Sequence, residues 1–257
     1  MNFSFYKYQG TGNDFVIIDN RQLFFPKNNT KLIAHLCDRK FGIGADGLIL
    51  LENHPTLDFN MVYYNADGNQ SSMCGNGGRC LVHFASFLNM IEKKAVFEAI
   101  DGVHNAEIVD ELISLKMNDV STIKMEKDYS FLNTGSPHHV TLCESFEHLD
   151  VQTEGAKLRS TLYGKEGANI NFVKQVDKNT FAVRTYERGV EAETLSCGTG
   201  VTAVAIAMHA NGKSASNAII LKTPGGDLKV KFEREGSHYT NIYLVGPAVQ
   251  VFKGEWQ

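Results

Sequence analysis

Two cysteines, Cys74 in "MCGNGGRC" and Cys197 in "SCGTG", stand 123 positions apart, each followed by Gly-x-Gly and then by an apolar run. A cysteine at a helix start meets the partial positive charge of the leading backbone N–H groups, which draws its pKa down towards neutrality. A thiol titrating near the working pH can act as acid or as base. Two of them aimed at one carbon, one thiolate and one thiol, can take a proton from one face and deliver one to the other, which is inversion by two bases. Gly75, Gly77, Gly78, Gly198 and Gly200 would let the backbone approach a ligand and point its amides at a carboxylate. One such motif alone reads better as an inert buried thiol, and its repetition favours chemistry. Cys37, Cys80 and Cys143 have no such counterpart and read as structural. Five cysteines at irregular spacing suit reduced thiols, and without Cys-x-x-Cys or a paired Cys/His spacing no metal is expected. No Gly-Lys-Ser/Thr ending or dinucleotide fingerprint accompanies the glycines.

The same offset of 123 recurs along the chain. Thr11-Gly12-Asn13 meets Thr134-Gly135-Ser136, and Gly44-Ala45-Asp46 meets Gly167-Ala168-Asn169. Thr30 and Thr153 would each cap a short helix. Four matches in one order imply a duplicated unit, with domains at 1–119, joined by the returning segment 248–257, and at 120–247.

Most elements read as strands. "LDFNMVYYN", "ISLKM", "FAVRTYE" and "DLKVKFE" are alternating or continuous apolar runs rich in β-branched and aromatic residues, bounded by turn residues. The helices to position the cysteines are expected at Arg79–Ile91 and Val201–Ala210, the second stopped by Asn211-Gly212. Both are apolar on nearly every face, which predicts burial. The expected fold class is α+β: two pseudo-symmetric domains, each a strongly curved, mostly antiparallel sheet wrapped around a central helix, with the helix starts in the cleft between them.

Composition narrows the function. The chain has 257 residues, 43% hydrophobic and 21% charged, with a net charge of −4 and no basic cluster, so nucleic acid is not an expected partner. Neither a signal peptide nor a membrane-length apolar run is visible, which predicts a cytoplasmic protein with no membrane partner.

On "GTGNDFVIID", "GIGADGLILLE", "YYNADGNQSSMCGNGGRC", "GSPHHV", "GANINFV" and "YERGVEAETLSCGTG" the chain resembles the diaminopimelate epimerase family over nearly its whole length. The resemblance implies the LL-to-meso epimerisation of diaminopimelate in lysine and peptidoglycan synthesis, without pyridoxal phosphate or other cofactor, by a homodimer acting on a small amino-acid substrate. It implies Cys74 and Cys197 as catalytic bases and His138 and Glu187 as groups tuning the thiols, with His139 a rival. Substrate binding falls by the same resemblance on Asn13, Asn65, Gly75, Asn76, Asn169, Glu187, Arg188, Gly198 and Thr199. A charge pair such as Glu187 and Arg188 suits the distal amino-acid end of a diamino dicarboxylate. Three departures stand out: Ser136 where many relatives have Asn, Gly47 where some have Gln, and one extra residue between Glu187-Arg188 and Cys197. A sister isomerase, such as a proline or hydroxyproline racemase, is the first alternative, and a non-catalytic anion-binding or redox-sensing module the second.

Overall fold

"FSFYKYQG" alternates its burial along strand β1 (Phe3–Gly10), and Thr11-Gly12 then turn the chain into antiparallel β2 (Asn13–Asp19). Both turn residues have positive φ, 50° and 84°, as a two-residue hairpin loop requires. The computed structural model describes residues 2–71 and 73–257. Helix α1 (Thr30–Cys37) connects to β3 (Gly47–Glu52), which runs parallel to β2 and is buried throughout. Leu48 and Leu50 meet Ile33 and Leu36 of α1 in one core, and β3 reads as a continuous apolar run because both of its faces are covered. Strand β4 (Phe59–Asn65) returns antiparallel to β3. Helix α2 (Gly75–Phe87) leads to β5 (Lys94–Ala99), parallel to β4, and to the meander β6 (Gly102–Val109) and β7 (Leu112–Lys116).

The second unit repeats this plan. It comprises β8 (Ile123–Met125), β9 (Ser130–Asn133), β10 (Pro137–Leu142), α3 (Val151–Tyr163), β11 (Asn169–Asp177), β12 (Thr180–Glu187), β13 (Ala192–Thr194), α4 (Gly198–Ala210), β14 (Ala218–Thr223), β15 (Gly226–Glu235) and β16 (His238–Gly246). β10 and β11 are parallel, β11 and β12 antiparallel, β12 and β14 parallel, and β14–β16 antiparallel, the same order of directions as β2 to β7. The last strand, β17 (Val249–Trp256), pairs with β1. The chain accordingly divides into two compact units, Met1–Leu115 with Gly246–Gln257, and Lys116–Val245. The fold is α+β, two units of like build, each a mostly antiparallel sheet around one helix.

In the first unit α2 packs on β1, β2, β3, β4, β6 and β17; in the second α4 packs on β9, β10, β11, β12, β14 and β15. Being enclosed, α4 buries Val201 to His209 without interruption. Burying Val201, Val204, Ile206 and Met208 contributes roughly 1.5–3 kcal/mol each.

Three sequence expectations need correction. The central helices start earlier than expected, at Gly75 and Gly198, and α2 ends at Phe87 rather than Ile91, where Leu88 caps it and Asn89 turns to φ 56°. Glycine has low helix propensity, but burial of these first turns offsets it. Gly77 and Gly78 lie against the sheet: a Cβ would stand 3.0 Å from Ile49 Cδ1 of β3 and 3.4 Å from Leu115 Cδ2 of β7, respectively, and that of Gly78 also 2.9 Å from Met73 Cε. Their missing side chains therefore serve helix packing. Thr30 and Thr153 do not cap; Asn29 caps α1 through its bond from Leu32 N, and Asp150 caps α3, accepting from Thr153 N and Oγ1.

Candidate active site

Each of the two cysteines occupies the N-cap of its central helix. Cys74 has φ −102°, ψ 122°, and Cys197 φ −117°, ψ 112°, extended backbone in both cases. The first helical bonds are Gly78 N to Cys74 O at 2.7 Å and Val201 N to Cys197 O at 2.9 Å. The leading N–H groups of each helix thus point past the cysteine, along the positive end of the helix dipole.

In the first unit the hairpin turn delivers Asn13 to Cys74. The thiol donates to Asn13 Oδ1 at 3.5 Å, and Asn76 Nδ2 donates to the same oxygen at 3.3 Å. Asn13 Nδ2 donates in turn to Asp46 Oδ2 at 2.7 Å. An ion network holds that turn: Lys7 with Asp14 at 2.7 Å, Arg39 with Asp14 at 2.6 Å and with Asp46 at 2.7 Å. Burial pushes the Asp14 carboxyl up, but bonds from Arg39 and Lys7 outweigh it and hold its pKa at about 2. Asn65 closes β4 directly opposite Gly47 in the β3–β4 ladder. A Cβ at Gly47 would stand 2.5 Å from Tyr63 Cε2 and 2.6 Å from Tyr64 O. In this chain the Tyr63 ring therefore takes the space that a side chain at position 47 would need.

In the second unit Asn169 gathers the predicted residues. Its Nδ2 donates to Ser136 Oγ at 3.0 Å and lies 3.5 Å from His138 Nε2, while its Oδ1 accepts from Arg188 N at 2.8 Å. Ser136 Oγ also accepts from Arg188 Nη2 at 3.4 Å, so the hydroxyl joins two of these groups. Glu187 Oε2 accepts from Thr194 Oγ1 at 3.0 Å, which ties it to the strand preceding Cys197. The hairpin between β12 and β13 turns at Arg188–Glu191 with positive φ at Gly189 and Glu191. Cys197 Sγ lies 3.5 Å from Thr199 Oγ1.

Neighbouring histidines separate because successive strand residues face opposite ways. His138 is fully buried between Asn169 and Asn171, and desolvation with the Arg188 charge brings its pKa to about 3. His139 stacks on Tyr129 at 4.4 Å and bonds Tyr163 Oη at 2.8 Å; burial lowers its pKa to about 4. His139 belongs to the aromatic packing of the second unit.

Sequence reasoning missed Asn171 and Thr134. Asn171, fully buried, contacts His138 Nδ1 at 3.2 Å and accepts from Thr185 Oγ1 at 3.0 Å. Its Oδ1 lies 2.6 Å from where a Cβ of Gly200 would be, so it abuts the first turn of α4. Thr134 Oγ1 donates to Thr199 O at 2.8 Å. Thr134 lies in the repeated Thr-Gly pair and Asn171 in the "GANINFV" block, but polar type alone did not show which way either side chain points.

Solved structures share this fold at low identity. A phenazine biosynthesis protein of the PhzF family from Bacillus anthracis superposes with a TM-score of 0.80 at 13% identity, covering 100% of this chain and 99% of that one. A hydroxyproline epimerase from Agrobacterium vitis superposes with a TM-score of 0.69 at 12% identity, covering 99% and 92%. Sequence comparison is more specific. A diaminopimelate epimerase from Flavobacterium psychrophilum is 61% identical over 250 residues, 96% of this chain and 98% of that protein. Those from Chlorobaculum tepidum and Aquifex aeolicus are 41% and 36% identical, each over at least 95% of both chains. The diaminopimelate epimerase family model matches residues 5–123 and 130–251, once in each half. The chain belongs to the diaminopimelate epimerase family.

Proposed function

We propose that this chain epimerises LL-diaminopimelate to the meso form, with Cys74 and Cys197 as its two bases and no cofactor. The observation that carries the two-base reading is the cysteine at the N-cap of each buried central helix. A thiolate removes the α-proton, and the carbanion's charge spreads into the adjacent carboxylate, which the helix-start amides around Gly75, Asn76, Gly198 and Thr199 stabilise. The second thiol then protonates the opposite face, leaving its sulfur as the thiolate. Asn13 orients Cys74 through the 3.5 Å bond. Asn65, Asn169, Glu187 and Arg188 hold the distal amino acid, Arg188 on its carboxylate and Glu187 on its ammonium. His138, neutral at about pH 7, acts through its ring dipole and by fixing Asn169, while Glu187 tunes Cys197 through the strand it anchors at Thr194.

Cytoplasmic location and a homodimer complete the reading. No helix among the described residues is long and apolar enough to cross a membrane. Val249, Val251 and Phe252 of β17 are 44–56% exposed, an apolar strip that suits a second copy. Sedimentation at micromolar concentration checks this: a monomer there would remove the dimer from the reading.

The function is tested with LL-diaminopimelate in deuterated water, with L-proline in parallel. Meso product carrying α-deuterium from the wild type, its loss in both Cys74→Ala and Cys197→Ala, and no exchange on proline are expected. Untouched diaminopimelate with exchange on proline would make the chain a sister racemase.

A further inference from the structure

The Asn13 amide can face Cys74 in two ways. It presents either its oxygen, which accepts, or its NH2 group, which donates, and the two orientations fill nearly the same space. Oxygen towards sulfur suits the thiol, and nitrogen towards sulfur suits the thiolate. What stands on the far side of the amide decides between them.

That neighbour is Asp46. Asn13 Nδ2 donates to Asp46 Oδ2 at 2.7 Å, and the same oxygen accepts from Asp14 N at 3.2 Å. The other carboxylate oxygen accepts from Arg39 Nη2 at 2.7 Å. Asp46 N donates in turn to Asp14 O at 3.0 Å and to Asp14 Oδ1 at 3.1 Å, so backbone and side chain of Asp46 are both fixed. A carboxylate can only accept. A turned amide would lose the bond to Asp46 and set its own oxygen against Oδ2. Asn13 Oδ1 is thereby left facing Cys74, whose thiol donates to it at 3.5 Å, with Asn76 Nδ2 donating at 3.3 Å. A hydrogen bond to the neutral form of an acid opposes its ionisation.

The link recurs in the second unit. The 123-residue offset carries Asn13 and Asp46 onto Ser136 and Asn169, and that pair is bonded too, Asn169 Nδ2 to Ser136 Oγ at 3.0 Å. A bond between these two positions belongs to the fold, and the first unit puts a carboxylate in it.

The other charges around α2 frame what the amide does. Lys7 of β1 pairs with Asp14 of β2 and donates to Gly44 O, so Lys7, Arg39, Asp14 and Asp46 together carry no net charge. Arg79 is fully buried, 3.4 Å from Gly75 O, Thr11 Oγ1 and Pro247 O, and works with the dipole of α2 towards thiolate. Asn13 works against both. Cys80 is pushed up to about 12 by desolvation and stays a thiol. Tyr6 and Tyr8 complete β1; burial raises the Tyr8 hydroxyl and lowers its partner His83 of α2, so both stay neutral. Glu52 of β3 pairs with Lys27 at 3.0 Å, and β4 brings Tyr63 and Tyr64, the latter raised by burial. His104 of β6 pairs with Asp101 at 3.0 Å, and Glu107 stands opposite Lys94. From β17 come Lys253, over the Tyr6 ring, and Glu255, which accepts from Ser4 Oγ.

We propose that Asp46 is a positioning residue for Cys74: it holds the Asn13 amide with its oxygen towards sulfur and so keeps Cys74 a thiol in the substrate-free enzyme. The inference rests on the two-base reading of this site. In that reading Cys74 stands ready to give its proton to the carbanion, its S–H bond breaking as the C–H bond forms and the electron pair staying on sulfur. A solvent proton then restores the thiol, while the α-proton taken by the opposing base returns to solvent.

The test is alkylation by iodoacetamide across pH 5–10 on the full substrate-free chain, with Cys74 followed by peptide mass spectrometry. The wild-type midpoint for Cys74 is expected above pH 7, and a midpoint below that overturns the proposal. The Asp46 side chain is 44% exposed, so Asp46→Asn disturbs no core. It sets an NH2 group opposite the Asn13 amide, which can then turn and donate towards sulfur. The Cys74 midpoint is expected to fall by about half a pH unit or more. In Asn13→Ala the bond to sulfur is gone and the midpoint falls by itself; adding Asp46→Asn to that variant is expected to move it less than in the wild type. An unmoved or raised midpoint in Asp46→Asn overturns the proposal. So does an equal or larger fall in the Asn13→Ala background, which would mean that the lost charge acts on the thiol directly. Should Asp46→Asn fail to fold, the wild type and Asn13→Ala decide, and a Cys74 midpoint that does not fall on loss of the amide counts against it. Turnover is scored separately: no inversion of diaminopimelate by the wild type sinks the proposed function and leaves the midpoints readable.

Discussion

His138, enclosed by two asparagines, and His139, stacked on Tyr129, are both neutral in the folded chain. When unfolded each takes up a proton near its ordinary value of about 6.5. Below that pH the unfolded chain binds more protons than the folded one, so stability is full above it and falls as pH drops towards about 4 and then 3. Each group contributes at most about 1.4 kcal/mol per pH unit within its window. The urea midpoint is expected to fall between pH 7 and pH 5, less steeply in His139→Gln; a flat midpoint would show that these rings can be protonated in place. Among the cysteines, Cys74→Ala and Cys197→Ala are each expected to lower kcat by about 10²–10⁴-fold or more, with little change in melting temperature. At the distal end, Arg188→Ala is expected to raise KM for diaminopimelate more than 10-fold. Unchanged KM would leave Arg188 as a surface cation held by Ser136 and the Glu166 carbonyl.

Helix position in both units is set by residues without side chains. Gly155 of α3 lies on Tyr186 of β12, where a Cβ would come within 2.4 Å of the tyrosine Cβ. Gly155→Ala is expected to cost about 1–3 kcal/mol, read as a lower denaturant midpoint. Gly200 differs, because a Cβ there meets Asn171 Oδ1 at 2.6 Å and Cys197 Sγ at 3.2 Å. Gly200→Ala should therefore lower kcat by a larger factor than its loss of stability would suggest, since it displaces the thiol itself. Wild-type kcat in that variant would mean that the first turn of α4 tolerates movement. The Thr11-Gly12 turn makes a similar point: an eight-residue strand and a two-residue loop place Asn13 beside Cys74, where neither element alone would.

For the whole chain, the proposed two-base reading assigns both proton transfers to thiols, so EDTA is expected to leave kcat unchanged and iodoacetamide to abolish it. Loss of activity with EDTA and its return with a divalent cation would require a metal in the reaction. The family indicates the substrate, while low-identity neighbours carry only the architecture: the PhzF-family protein matches this fold with a TM-score of 0.80 and the hydroxyproline epimerase with 0.69. What separates such proteins is which residues stand at the ends of corresponding strands and helices.

Duplication, strand-rich class and the equivalent placement of Cys74 and Cys197 at the starts of helices were legible in the sequence because each is a statement about spacing. The 123-residue offset carries Gly75–Phe87 onto Gly198–Ala210 residue for residue. Side-chain direction was not legible. Sequence could not place Gly77 and Gly78 inside a helix, because only the surrounding sheet offsets their poor helix propensity. Nor could it separate His138 from His139, separate Asn171 from other strand asparagines, or single out Arg79 as a buried charge. Each depends on which face of an element the fold turns towards its neighbour, and on the partners met there from segments as distant as Thr11 and Pro247.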